Sequence, residues 1–215
     1  IVDAVDIPVT VKCRIGVDDC DDLPFLMSFV ETVKAAGGST FIIHARKAWL
    51  SGLSPKENRD VPPLDYKRIY RLKQRLPAAF IGINGGIGSL DEAAAHLAHV
   101  DGVMLGRAAY HTPGILAAVD ARFYGAASVV DERAVVESMV PYIEGALKRG
   151  AKLAHVTRHM LGLFHGLPGA RAWRRTMTVA AVRPGAGVEV LHAAMAAMDF
   201  RREAQQTDEP AEAAA

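Results

Sequence analysis

Four short groups of residues in this 215-residue sequence have types and spacings that could do chemistry. Lys12 and Arg14 stand two apart in Ile7-Pro8-Val9-Thr10-Val11-Lys12-Cys13-Arg14-Ile15-Gly16, and His44 and Arg46 stand two apart in Thr40-Phe41-Ile42-Ile43-His44-Ala45-Arg46. On extended backbone, side chains two apart share a face, so each pair would project together while the apolar residues between face the other way. Two cations on one face are costly unless something anionic meets them, the alternative being a solvated edge-strand face. The other two groups are Asn84-Gly85-Gly86 and Gly106-Arg107. Glycine lets backbone N–H groups approach an anion closely, and an arginine fork can bind a phosphate with two parallel hydrogen bonds. The chemistry these groups suggest is the holding of an anionic, phosphate-bearing ligand. A bland alternative exists for each: a glycine pair can merely end a strand, and a single histidine is as often a structural hydrogen-bonder as a catalyst.

The elements that must position these groups follow from the pattern around them. Phe80 to Arg107 reads strand, glycine turn, helix (Ser89 to Ala98), strand, glycine turn. Two short apolar strands, each ending in glycine and separated by about one helix, match the last two βα units of a (β/α)8 barrel, where loops at the C-terminal ends of the strands often form a phosphate site. The two earlier strands fit the same plan. Between them, Pro24 to Ala36 carries a helix start and a Gly37 stop. Asp65 to Arg75 is an amphipathic helix with Ile69, Leu72 and Leu76 inward, and Ser89 with Glu92 forms a capping-box pattern rather than a catalytic pair. Ala48 to Pro63 is a long loop broken by Ser51-Gly52, Ser54-Pro55 and Pro62-Pro63. Trp49, Lys47, Lys56 and Arg59 on it suit recognition of a base and phosphates, or else a solvated loop with the tryptophan packed down as an anchor.

After Gly125 the pattern changes to helices without strands: Glu132 to Arg149, Lys152 to Gly166, Ala170 to Val182 and Val188 to Glu203. The expected organisation is therefore an α/β TIM barrel part (1–125, its C-terminal half, strands 5 to 8), an all-α helical domain (126–204) and a disordered tail (205–215). The formal net charge of +1 argues against a uniformly basic protein, yet from Gly145 to Val188 there is no Asp or Glu, while Lys148, Arg149, Lys152, Arg158, Arg171, Arg174, Arg175 and Arg183 fall inside. That block suits a polyanionic partner. The two cysteines, Cys13 and Cys20, make neither a disulfide framework nor a metal site, which fits a reducing cytoplasm. No run approaches the roughly 18 apolar residues of a membrane span. The start at Ile1, with neither signal peptide nor initiator methionine, suggests a chain that begins inside a longer protein.

With these groups in hand, the chain resembles the dihydrouridine synthases. Ile43-His44-Ala45-Arg46-Lys47-Ala48-Trp49-Leu50 through Ser54-Pro55-Lys56-Glu57-Asn58-Arg59 is similar to the bacterial branch acting on positions 20 and 20a of the tRNA D-loop, and the resemblance runs from about residue 8 to 200. It implies a flavin-dependent barrel followed by a helical tRNA-binding domain, with FMN as cofactor, NADPH as reductant and tRNA as partner. It implies that Lys12 and His44 contact the flavin ring, and that Asn84, Gly85, Gly86, Gly106 and Arg107 hold the ribityl chain and phosphate. Arg14 and Arg46 would lie near the substrate nucleotide, and Lys56, Arg59, Arg171 and Arg174 would touch tRNA. The departure is large. The family's catalytic cysteine lies on earlier barrel strands, and neither Cys13 nor Cys20 stands in its context. The expected function is reduction of the uridine C5=C6 bond; the alternatives are an RNA-binding remnant without flavin activity, or another FMN- or phosphate-binding barrel oxidoreductase.

Overall fold

The computed structural model describes residues 1–198. The 205–215 tail and the end of the last expected helix lie outside the described residues. The chain divides into two compact units, Ile1–Arg107 and Ala108–Ala215. The division falls earlier than the change of sequence pattern at Gly125.

The first unit is a four-stranded, all-parallel sheet in the order β1 (Thr10–Arg14), β2 (Thr40–His44), β3 (Phe80–Asn84), β4 (Gly102–Met104). Helices α1 (Leu23–Ala35), α2 (Tyr66–Arg75) and α3 (Leu90–Leu97) make the crossovers that parallel neighbours require. Their starts are set by side chains. The Phe25 amide donates to the Asp22 carboxylate at 2.8 Å with Pro24 in the first turn, and the Arg68 amide donates to Asp65 at 3.0 Å. At α3 the Glu92 amide donates to Ser89 Oγ at 3.1 Å, while the Glu92 carboxylate accepts from Gly88 rather than from Ser89, so the expected capping box reaches back one residue further. Alternation sorts the strands as their sequences require: Phe41, Ile43, Ile81 and Ile83 are fully buried. The opposite face is more open, with Thr10, Lys12, Phe80 and Met104 exposed. Asp101 fastens β3 to the end of its crossover by accepting from the Ile81 amide at 2.8 Å and pairing with Lys73 at 2.7 Å.

The described elements of the second unit are helical: α4 (Arg107–His111, beginning at the boundary), α5 (Val119–Phe123), α6 (Glu132–Lys148), α7 (Leu153–Thr157), α8 (Ala170–Ala180) and α9 (Glu189–Ala196). Its core gathers Val136, Ile143, Leu153, Phe164, Trp173 and Leu191; Phe164 and Trp173 meet edge to face at 4.8 Å, and the Trp173 indole N–H donates to the Met160 carbonyl at 3.2 Å. The helix expected over Lys152 to Gly166 ends at Thr157. From there the amides of Met160, Leu163, His165 and Leu167 each reach back three residues, a run of tight turns that turns Met160, Leu163 and Phe164 into the core. Gly162 is pressed against the His111 carbonyl so closely that a Cβ would lie 2.0 Å from its oxygen. No helix among the described residues is long and apolar enough to cross a membrane.

Candidate functional site at the strand ends

Sheet register brings the sequence groups into one row. Arg14 is opposite His44, His44 opposite Asn84, and Asn84 opposite Met104, all at the C-terminal ends of the parallel strands. Two residues earlier, Lys12, Ile42, Gly82 and Gly102 form a second row on the same face. Two of its four positions are glycine, so the floor beneath the polar row carries few side chains. Cys13, between Lys12 and Arg14, belongs to the opposite face; burial pushes its thiol up to about 11, which leaves it unreactive.

His44 is the electrostatic centre of the row. Burial, and then Arg14, Lys12, Arg46 and Arg107, lower its pKa to about 4, so the imidazole is neutral through the physiological range. The Arg46 amide donates to its Nδ1 at 3.3 Å. Nδ1 therefore carries the lone pair and Nε2 the proton. Arg46 sends one guanidinium nitrogen to the Pro62 carbonyl, while its Nε is buried without a partner. An orphaned donor among cations marks a place that an acceptor-rich group would complete.

The glycine turn borders His44 directly. Gly85 and Gly86 hold φ of +116° and +72°, and a Cβ on Gly85 would lie 3.2 Å from His44 Nε2, while one on Gly86 would lie 2.7 Å from Leu64 Cδ1. Only glycine takes these conformations without strain and leaves the ring edge of His44 clear. The Tyr66 hydroxyl donates to the Gly85 carbonyl at 2.7 Å, and the Tyr66 ring packs edge-on against His96 at 4.4 Å. The Asn84 amide donates to the Met104 carbonyl at 2.7 Å and ties β3 to β4. Gly106 has nothing within 4 Å of the Cβ it lacks, and Arg107 beside it pairs with Asp60 at 2.6 Å.

The long loop is braced. Arg14 donates through one guanidinium nitrogen to the carbonyls of Lys47 and Asn58, both at 2.9 Å. Lys56 and Arg59 are exposed, and Trp49 is half-buried. In the helical unit, Arg171 and Arg174 lie on α8 and border a cavity of about 420 Å³ with His165, Gly166 and Leu167. Asn58, Asp60, Leu64 and Tyr66 escaped the reading of the sequence. Asp60 meets Arg107 across 47 residues and Tyr66 meets Gly85 across 19, separations that leave no local periodicity to read.

Comparison with known proteins follows the same lines. A family model described as dihydrouridine synthase (Dus) matches residues 1–199. The tRNA-dihydrouridine(20/20a) synthase of Salmonella typhimurium is 60% identical over 195 residues, covering 90% of this chain and 59% of the relative. The protein of the same name from Shewanella oneidensis is 60% identical over 188 residues (87% and 56%), and that from Escherichia coli K12 is 58% identical over 195 (90% and 56%). The chain thus spans somewhat over half the length of these relatives.

Proposed function

The chain belongs to the dihydrouridine synthase family, and from that membership we propose that it forms the cofactor-phosphate and tRNA-binding part of an FMN-dependent enzyme that reduces the C5=C6 bond of uridine 20 or 20a in the tRNA D-loop with NADPH. In this reading β1 to β4 are strands 5 to 8 of a (β/α)8 barrel, the helical unit is a tRNA-binding domain, and the setting is cytoplasmic. The observation that carries it is the register row Arg14–His44–Asn84, in which a neutral histidine is surrounded by Lys12, Arg14, Arg46 and Arg107 beside a side-chain-free glycine turn. These residues fit FMN. The site is rich in donors, one buried donor lacks an acceptor, and the two glycine positions keep side chains out of the space beside His44.

FMN, when bound, supplies the hydride that passes from NADPH to C6 of the uracil. Lys12 and His44 would hold the ring system, His44 keeping a donating proton on a neutral imidazole's Nε2 above about pH 4. The Asn84-Gly85-Gly86 turn and Gly106-Arg107 would hold the ribityl chain and phosphate; Arg107 must then exchange the Asp60 carboxylate for the phosphate. Arg14 and Arg46 border the substrate side, Lys56 and Arg59 reach RNA from the long loop, and Arg171 and Arg174 reach it from α8. Cys13 does not face the site: it lies on the opposite face of β1 from Lys12 and Arg14. The second reading is RNA binding without flavin chemistry.

Two titrations test the proposal. FMN fluorescence is followed as the chain is added, and an unmodified tRNA transcript is titrated across a salt series. Lys12→Ala and Arg107→Ala are expected to weaken FMN binding with tRNA affinity nearly intact. Arg171→Ala and Arg174→Ala are expected to weaken tRNA binding and to flatten the log-affinity versus log-salt slope by about 0.7 to 0.9 per lost phosphate contact. Binding of tRNA with no FMN quenching at any concentration would move the chain to the second reading, and no tRNA binding at any salt concentration would remove both.

A further inference from the structure

The loops that follow β1 and β2 are knitted into one body, and side chains of both loops and of β1 form its crosspieces. After β1, Gly16 accepts from the Ala48 amide at 2.9 Å, and the Asp18 amide donates to the Ala48 carbonyl at 2.8 Å, so residues 16–18 and 48 continue the parallel pairing beyond the strands. Asp18 then accepts from the Leu50 amide at 2.9 Å through its carboxylate and from Lys47 Nζ at 3.1 Å through its carbonyl. Lys47 also pairs with Asp21 at 2.8 Å. Asp18 holds this position at φ +45°, the one positive φ at a non-glycine position among the described residues. Such a conformation persists where its surroundings over-determine it.

Asn58 closes the far end. Its side-chain amide donates to the Trp49 carbonyl at 2.6 Å and accepts from the Trp49 amide at 2.8 Å, so one residue replaces a rung of sheet between two stretches of the same loop. Arg14 binds the base of that rung at both ends, donating to the carbonyls of Lys47 and Asn58. Arg59, with its exposed side chain, follows Asn58 directly, and Lys56 lies two residues before it. Whatever fixes Asn58 fixes where these two cations stand.

We propose that Arg14 and Asn58 are positioning residues: they hold the 47–60 loop in its RNA-receiving form before RNA arrives, so that Lys56 and Arg59 are presented without an ordering cost at binding. This rests on the tRNA-binding reading above and changes the role of Arg14 within it, from a contact of the nucleotide to the strut behind the loop that makes the contact. A preformed loop binds more tightly than a floppy one with the same contacts, because the conformational freedom is already spent on folding.

The test is a double-mutant cycle on the whole chain: parent, Arg14→Ala, Asn58→Ala and the double variant, with Arg14→Lys as a fifth protein. An unmodified tRNA transcript is titrated across a salt series, and hydrogen exchange at the Trp49 amide is measured without RNA. Each single alanine variant is expected to bind about tenfold more weakly with an unchanged salt slope, and to exchange the Trp49 amide faster. The double variant is expected to be no weaker than the worse single, because both changes break one clasp. Arg14→Lys keeps the charge, but its ammonium ends one bond short of the guanidinium nitrogen that serves both carbonyls, so it is expected to bind like Arg14→Ala. Additive losses, or a flattened salt slope in Arg14→Ala with Arg14→Lys and Asn58→Ala binding like the parent, would make Arg14 a direct phosphate contact and overturn the proposal. If Arg14→Ala does not fold, Arg14→Lys and Asn58→Ala carry the same decision. A parent chain that binds no tRNA overturns the tRNA-binding reading itself, and the positioning role with it, which is a different result from a parent that binds and variants that add.

Discussion

At the scale of single residues, the site is organised by what surrounds His44. Its pKa of about 4 lies below the 6.5 of an unperturbed imidazole, so the unfolded chain takes up a proton that the folded chain refuses. The sign follows: His44 leaves stability untouched above about pH 6.5 and removes it progressively as the pH falls from there toward 4. Urea unfolding of the parent and of His44→Gln at pH 7 and pH 5 is expected to show the parent losing more stability than the variant; equal losses would mean that His44 is not held neutral by its neighbours. Asp60 is the other residue whose role is electrostatic. The hydrogen bond from Arg107, and then the charge of Arg107, hold its carboxyl below the usual carboxylate range. A phosphate must compete with that carboxylate for the same guanidinium. Both side chains are about half exposed, at 56% and 49%, so the competition is weak, and Asp60→Asn is expected to raise FMN affinity about two- to fivefold in a fluorescence titration. An unchanged or lower affinity would place the phosphate away from Arg107.

At the scale of elements, the glycine turn after β3 is the part least tolerant of change. Gly86→Ala would force a β-carbon onto a φ of +72° and within 2.7 Å of Leu64 Cδ1 and 3.0 Å of the Tyr66 hydroxyl. The expected loss is about 1 to 3 kcal/mol of stability, read from urea midpoints, with weaker FMN binding beyond what the lost stability explains. A variant as stable as the parent would show that the turn has a second conformation available. Helix α3 announced itself through Ser89, because a cap is a contact between residues three apart, and α1 through Pro24 and Gly37 and α2 through its apolar spacing; the caps Asp22 and Asp65 are findings of the structure. The segment after Thr157 did not announce itself. Its apolar residues recur at a spacing that both an α-helix and a chain of three-residue turns can satisfy, and the turns carry Gly162 into close approach to the His111 backbone.

At the scale of the whole molecule, the four strands leave their second face open. Phe80 is 43% exposed and Met104 38%, and β1 and β4 each have one strand neighbour within the sheet. Unpaired parallel edges and exposed apolar side chains on one face favour association with any surface able to complete them. The purified chain is expected to sediment as concentration-dependent oligomers, with Phe80→Ser shifting the distribution toward monomer. A monodisperse monomer of the parent at all concentrations would show that the open face is covered in solution.

By itself the sequence determined the alternation that puts Lys12 and Arg14 on one face of β1, the glycine turns, the Ser89 cap, and, through the run from Ile43 to Arg59, the family. These are properties of residues near one another along the chain, and periods of two and of about 3.6 are written directly in the order of side chains. Only the tertiary structure decided that Arg14, His44, Asn84 and Met104 stand in one register row, that Asn58 and Arg14 clasp the loop, that Asp60 occupies Arg107, and that Tyr66 holds the Gly85 turn. Each of these joins residues from separate βα units or from distant parts of a loop. Their meeting depends on strand register and loop path, which are set by the packing of the whole unit rather than by any local pattern.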